Sequence, residues 1–443
     1  MARFLHIADI HLGIKRYNLP DRTGDFFRAW RDVIERYALA RRVDFVLIAG
    51  DLFDRRNVDP QAANHAMFML RQLADARIPV VVIEGNHDQH EATSRFSWLR
   101  SFSQWRFMKL LEPRWTEEGL RLDAWDEEEA SGSYIDIADA RIFGSNWYGS
   151  TVGNTLPVLA EGVRAHRREG AANIMLLHSD VEGQLNRPIQ NALSISKLVE
   201  LRGAVDYLAL GHTHKRFQIE DWAFNPGSLE ACSVDEAVTE RGAYIVETTG
   251  PKIISMEFIA AGEGYFQRPF RRIEHEVSGK EEPDAIRAEI FETLHRECAI
   301  ANTIEEEQRP IIELTLRGQL GFKNSLLRLD KLKEQAIEEL RPLGLIINNK
   351  TIPKQLAVAV DLARDTPRNE RELRVIEDLI KPDPRFGARA SEIAAIVVEA
   401  KRLALEGESA EKILKMIEDR LFQPASEQSG ELPLEAVYAE GAD

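Results

Sequence analysis

Two cysteines in 443 residues, Cys232 and Cys298, are too few and too far apart to staple a small secreted fold. A disulfide framework is excluded and a reducing compartment expected. No apolar run is long enough to span a bilayer. The stretch Phe4-Leu5-His6-Ile7-Ala8 is short and passes straight into Asp9, which is not a secretory pattern. The expected location is the cytoplasm, without a membrane partner. An excess of positive charge is missing too, since the net charge is −16, which speaks against a uniformly basic coat for polyanions. Local basic clusters remain at Lys15-Arg16, Arg55-Arg56, 164–168, Lys215-Arg216 and 268–272; a solvated face would explain each taken singly. No internal repeat is present.

What is there is the composition of a globular protein, 44% hydrophobic and 29% charged, over a length that calls for two or three domains. Up to about residue 250, short apolar runs at 4–8, 45–49, 80–83, 141–144, 174–177 and 207–210 predict strands. Stretches with helical spacing, such as 26–40 and 62–73, separate them. Strands apolar on both faces are covered on both sides, which predicts an α/β layered domain. From 265 to 352 the texture changes to a small α+β region, with helices at 284–296 and 329–340 and strands at 312–316 and 343–347. Beyond 367 the pattern is helical, and the tail after Phe422 carries acidic residues with no Lys or Arg, the composition of a disordered segment.

Chemistry gathers at the strand ends. The first run delivers Asp9-Ile10-His11, the second Gly50-Asp51, and the third Gly85-Asn86-His87-Asp88. Later runs deliver His178 and then Gly211-His212-Thr213-His214. Residues just past the C-terminal ends of strands in open α/β sheets meet at one rim, where ligands bind. In an Asp-x-His or His-x-His triplet the two-residue period of extended chain lets both outer side chains face one way. A lone histidine at such a place is more often structural than a ligand. Nine of the eleven histidines precede residue 250, however, and five of these sit at predicted strand ends, which makes coincidence a poor explanation. Carboxylate, amide and imidazole together suit Mn²⁺, Fe²⁺ or Zn²⁺ better than Ca²⁺. The set is what two-metal phosphoester hydrolysis requires, with one carboxylate bridging ions about 3.5–4 Å apart.

In this order, the five motifs resemble the calcineurin-like metallophosphoesterase superfamily over roughly the first 230 residues. The resemblance implies a layered β-sandwich flanked by helices. It also implies that Asp9, His11, Asp51 and His214 hold one divalent ion, while Asp51, Asn86, His178 and His212 hold the other. His87 would be the acid that protonates the leaving oxygen, oriented by Asp88; an imidazole suits that work near neutral pH. The segments FLHIADIHLG, GDLFD and GNHD further resemble SbcD-type exonucleases of double-strand-break repair and recombination. That likeness implies a nuclease domain at 1–250, an α+β capping domain that binds DNA at 265–352, and helices at 369–421 that dock on an SbcC-type, SMC-like ATPase. An acidic tail would follow at 423–443.

The implied activity is 3′-to-5′ exonuclease action on duplex ends with single-strand endonuclease action, and Mn²⁺ is the expected metal. Lys15, Arg16, Arg55, Arg56, Lys215 and Arg216 are candidate DNA contacts because they adjoin the ligands in sequence. The family's archaeal and eukaryotic members place a phosphate-handling histidine where this chain has Asp54, so no catalytic role is assigned there. His65 and His90 are read as structural or exposed. The aromatic stretch Phe96, Trp98, Leu99, Phe102, Trp105, Phe107 is core by default, and a homodimer surface if the likeness holds. A phosphodiesterase for small nucleotides and a non-catalytic scaffold are the rival readings. The scaffold would be expected to lack ligands, and none is missing here.

Overall fold

A computed structural model of the chain describes residues 1–90, 96–185, 192–279, 282–298, 308–353, 366–381, 383 and 385–422. The acidic tail expected at 423–443 and residues 354–365, ahead of the expected C-terminal helices, lie outside these residues. Two compact units divide the chain. The first comprises Met1–Glu274, Ile290–Thr315 and Leu329–Asn348; the second comprises His275–Glu289, Leu316–Arg328 and Asn349–Asp443.

In the first unit the strands are β1 (Ala2–Ile7), β2 (Phe45–Ile48), β3 (Val80–Val82), β4 (Lys109–Leu110), a small hairpin β5 (Arg114–Thr116) and β6 (Gly119–Arg121), then β7 (Tyr134–Ile137), β8 (Ala140–Phe143), β9 (Ala172–His178), β10 (Tyr207–Gly211), β11 (Phe217–Ile219), β12 (Ala223–Asn225), β13 (Gly242–Thr249) and β14 (Lys252–Ala260). Helices α1 (Asp21–Val33), α2 (Pro60–Asp75), α3 (Trp98–Gln104), α4 (Val152–Ala165) and the short α5 (Ile195–Leu198) lie between them. Two six-stranded sheets result, ordered β14-β13-β1-β2-β3-β4 and β11-β12-β10-β9-β8-β7. β1 to β4 run parallel, as do β8, β9 and β10, so their C-terminal ends share a side.

The period of two explains the layering. Phe45 and Leu47 join Phe4, Ile174, Leu176, Tyr207, Ala209 and Tyr244 in a core fed by both sheets. Their sequence neighbours Val46 and Ile48 turn the other way, onto Trp30, Val33, Met69 and Leu70 of α1 and α2. On the second sheet Leu208 and Leu210 likewise meet Leu156, Leu159 and Val163 of α4. The domain is therefore a β-sandwich with helices outside: the covered strands are those the apolar runs predict, and the sandwich is what the resemblance implies. α2 begins at Asp59, whose carboxylate accepts the Ala62 N–H at 2.9 Å, with Pro60 in the first turn. The predicted helix at 26–40 extends further back, and Ile34–Leu39 is wound as a π-helix.

After residue 265 follow β15 (Phe270–Val277), α6 (Pro283–Cys298), β16 (Ile311–Leu320), α7 (Leu329–Leu340), β17 (Gly344–Asn349) and β18 (Ile352–Pro353), the strand–helix alternation expected there. In α7, Leu332, Ala336 and Leu340 recur every fourth residue and are buried. The second unit ends in α8 (Arg368–Ile380), α9 (Ala390–Leu405) and α10 (Ala410–Phe422), where α9 packs on both neighbours. Among the described residues no helix is long and apolar enough to cross a membrane.

Candidate metal centre

The loops leaving β1 and β2 are sewn together before any side chain is considered. Asp9 N–H donates to Gly50 O, Ile10 and His11 N–H to Asp51 O, and Leu12 N–H to Leu52 O. The stitching forces unusual backbone. Asp9, His11, Asp51 and His212 have φ of 51°, 49°, 54° and 87°, a left-handed region that costs a non-glycine residue about 1–3 kcal/mol at a functional site. Glycine is required where side chains crowd closest. A methyl group on Gly85 would lie 2.1 Å from Asp51 Oδ1, and one on Gly50 would lie 2.3 Å from His178 Nδ1.

All seven sequence-predicted ligands meet at this rim, in two groups that share Asp51. His178 Nε2 lies 3.2 Å from Asp51 Oδ2, 3.3 Å from Asn86 Oδ1 and 3.2 Å from His212 Nδ1. On the other side His11 Nε2 and His214 Nε2 face each other at 3.0 Å. Asp51 Oδ2 is 3.9 Å from His11 Nε2, and Asp9 Oδ1 is 3.9 Å from His214 Nε2. Nitrogen facing nitrogen satisfies nothing unless one carries the proton, and His11 leaves Nδ1 buried without a hydrogen-bond partner. Such converging lone pairs beside two buried carboxylates are what divalent ions fill, so the donor set fits the metals the motifs imply.

The histidines are braced from behind. His178 Nδ1 donates to Ala49 O at 2.7 Å; because a carbonyl only accepts, the tautomer is set and Nε2 is left for the rim. Asp180 Oδ2 stands 3.2 Å from His212 Nε2, and Glu236 Oε2 stands 3.2 Å from His214 Nδ1. These two carboxylates escape sequence reading. Asp180 carried one signal, its place two residues past His178, and the Thr213 hydroxyl donates to it at 2.7 Å. Trp147 was also missed; its ring centroid lies 4.9 Å from that of His212 and 5.5 Å from that of His178.

Burial opposes every charge here, and the neighbours decide which survive. It favours a neutral Asp51, but the His178 charge outweighs it and holds that carboxyl below the usual range. It likewise opposes the His178 charge, which Asp51 restores and lifts to about 9. His11 is pushed down to about 3 by burial and then by His214. Burial raises Asp9, against the pull of His178. Glu236 falls to about 2, because His214 prevails over burial.

His87 does not stand where Asp88 could orient it. The Asp88 carboxylate accepts the Leu52 and Phe53 N–H groups, both at 2.9 Å, so it holds the loop that carries Asp51. Burial, followed by the Asp51 charge, raises it to about 8. The partner of His87 Nδ1 is Asp54 O at 2.6 Å, and His87 N–H donates to Asp51 Oδ1 at 2.9 Å. This corrects the reading of Asp88. The resemblance implies that Asp88 orients His87, whereas the turn commits the two side chains to different partners. Asp54 groups with His11 and His87.

The six basic candidates divide. Arg55 and Arg56 are exposed near His87, Arg56 holding Gln89 Oε1 at 2.6 Å. Lys15 is exposed and pairs with Asp59 at 3.1 Å, while Arg16 lies over the Tyr17 ring. Lys215 Nζ reaches Gln184 O at 3.3 Å. Arg216 is committed to packing, between Glu240, the Tyr244 hydroxyl and the Phe258 ring. His90 pairs with Glu84 at 3.5 Å, and His65 stacks on Phe27.

Residues 2–216 match the family model of calcineurin-like phosphoesterases. Among curated relatives, the DNA double-strand break repair protein Mre11 of Aeropyrum pernix is 27% identical over 259 residues, 56% of this chain and 59% of that protein. The protein of the same name from Archaeoglobus fulgidus is 31% identical, over 53% of this chain and 52% of its own length. That from Sulfolobus acidocaldarius is 22% identical, over 73% and 77%. The chain thus spans little more than half of the first two. The rim geometry falls within the matched segment, so residues 2–216 carry a calcineurin-like phosphoesterase domain, and the chain is similar to proteins named for Mre11 double-strand break repair.

Proposed function

We propose that this chain is a two-metal DNA nuclease acting in double-strand-break repair. The observation that carries the reading is the pair of donor groups sharing one buried carboxylate, Asp51, at the sheet rim. Asp9, His11, Asp51 and His214 would hold one ion, and Asp51, Asn86, His178 and His212 the other. Bound divalent ions supply Lewis-acid stabilisation of the phosphoryl group and acidify water at neutral pH. The protein's own part is to hold and to protonate. The Ala49 carbonyl, Asp180 and Glu236 fix three imidazoles, and Asp88 fixes the turn bearing Asp51. His87, with Nδ1–H committed to the Asp54 carbonyl, would turn Nε2 to the leaving oxygen and donate a proton from it in the imidazolium form.

Mn²⁺ is the proposed metal, on the oxygen and nitrogen donors of the group around His178. DNA as substrate is supported by the names of the relatives and by the exposed Arg55 and Arg56 beside His87, with residues 265–352 as the capping domain. Exonuclease action from 3′ to 5′ and single-strand endonuclease action belong to the same proposal. Partners are proposed on exposed apolar side chains. On α8, α9 and α10 these are Leu373, Leu379, Val397, Leu405 and Leu414, offered to an SbcC-type ATPase. Near α3 they are Phe96 and Trp105, offered to a second copy of this chain, whereas Leu99 and Phe102 are core. A cytoplasmic site of action fits the two lone cysteines. The test is a Mn²⁺-dependent assay that sets linear duplex DNA against a nitrophenyl phosphodiester. The proposal expects cleavage of both, and activity confined to the ester would shift the reading to a small-nucleotide phosphodiesterase.

A further inference from the structure

The two halves of the centre differ in one donor. Around His178 the convergent atoms are oxygen and nitrogen only. Around His11 and His214 there is also sulfur: the Cys232 thiol and a ring nitrogen from each histidine all lie within 4.8 Å of one another. Cys232 is 8% exposed, and Ile14 and Phe26 pack in one apolar cluster with it. Glu236 fixes the geometry, since one oxygen accepts Cys232 N–H at 2.9 Å and stands 3.2 Å from His214 Nδ1. Arg241 holds that oxygen at 3.4 Å. One carboxylate therefore ties the cysteine backbone and the histidine ring into a single rigid piece. His11, 2% exposed, offers this group one ring nitrogen, while its Nδ1 lies 3.7 Å from Asp54 Oδ1.

We propose that Cys232 is a sulfur donor to the ion held by His11 and His214, so that this position prefers zinc-like metals while still admitting the manganese that its neighbour around His178 takes. The inference rests on the metal-centre reading and goes beyond it by making the two positions chemically unequal. Thiolate with imidazole is the donor combination of zinc, cobalt and ferrous sites, whereas carboxylate, amide and imidazole without sulfur leave room for harder ions. A small hydrophobe would have packed against Ile14 and Phe26 as well as a thiol does. A thiol within reach of two ring nitrogens has a use that alanine or valine lacks.

The experiment uses the full chain carrying Cys298→Ser, so that Cys232 is its one thiol, stripped of metal and titrated with Co²⁺. The expected result is a near-ultraviolet sulfur-to-cobalt charge-transfer band that saturates with one equivalent, while calorimetry counts two. Adding Cys232→Ser should abolish the band, keep cobalt binding, and weaken Zn²⁺ by roughly 10- to 100-fold while leaving Mn²⁺ within about threefold. Cobalt bound without a sulfur band overturns the proposal and leaves the metal centre standing. Cobalt not bound at all overturns the centre itself. The spectrum of the parent protein decides between these before any Cys232 variant is made, so a variant that fails to fold leaves the answer unchanged.

Discussion

The interior of the sandwich and its rim are built from the same strands under opposite rules. In β2, Phe45, Val46, Leu47 and Ile48 are fully buried, alternate strictly between two cores, and need nothing but apolar volume. Three residues later Asp51 is just as buried but charged, left-handed, and pressed against other titratable groups. Stability lives in the first set, and the second set draws on it. A local rule of the interior that fails among clustered, buried titratable side chains is the mark of a functional site.

Substitutions can break the comparison from either side, and the largest effect is expected at the bridge. Asp51→Ala should empty both metal positions and lower turnover by on the order of 10³-fold or more, with little loss of stability in the metal-free protein. Phe45→Ala should do the reverse, costing about 3–5 kcal/mol in denaturant unfolding while calorimetry still counts two Mn²⁺. Two intact sites in Asp51→Ala would refute the shared carboxylate. His87→Ala sharpens the rim itself, because it should keep both ions and substrate affinity yet lose about 10²- to 10⁴-fold in kcat. Equal losses of metal and turnover would make His87 a ligand.

A smaller effect separates a buried histidine of the interior from those of the rim. His6 lies between the Tyr207 hydroxyl at 2.9 Å and Leu210 O at 3.1 Å. Burial, only partly offset by the bond to Leu210, pulls it from 6.5 down to about 3. A depressed folded value means that protonation favours the unfolded chain. The stability tied to neutral His6 is therefore whole above pH 6.5 and declines as pH falls from there toward 3. His6→Gln should flatten that part of the stability–pH curve, and an unchanged slope would place the titration elsewhere. The smallest effect is at the surface. Reversing Arg55 and Arg56 to Glu should weaken DNA binding and reduce its salt slope by roughly one for each phosphate no longer neutralised. An unchanged slope would make them solvated charge.

The same contrast explains how much could be read from the chain alone. Apolar runs located the central strands to within a residue or two, since each run is a local signal. The short β11 and β12, and the pairing of β13 with β1, answer to distant partners and leave little trace in sequence. At the rim, all seven residues expected as ligands came together, because a donor just past a strand end can only go to that edge. The braces behind them were not legible. Glu236 reaches His214 from a loop beyond β12, and Asp88 spends its carboxylate on backbone amides rather than on the neighbouring His87. Arg216, adjacent to a ligand in sequence, packs on Phe258 instead of facing the rim freely. Adjacency in the chain is a poor guide to where a side chain points once a turn intervenes.

The most direct test is anomalous diffraction from crystals soaked in manganese. Two peaks are predicted, one among Asp9, His11, Asp51 and His214 and the other among Asp51, Asn86, His178 and His212, with Asp51 touching both. A rim bare of anomalous density, or a single ion that Asp51 does not contact, would contradict the account.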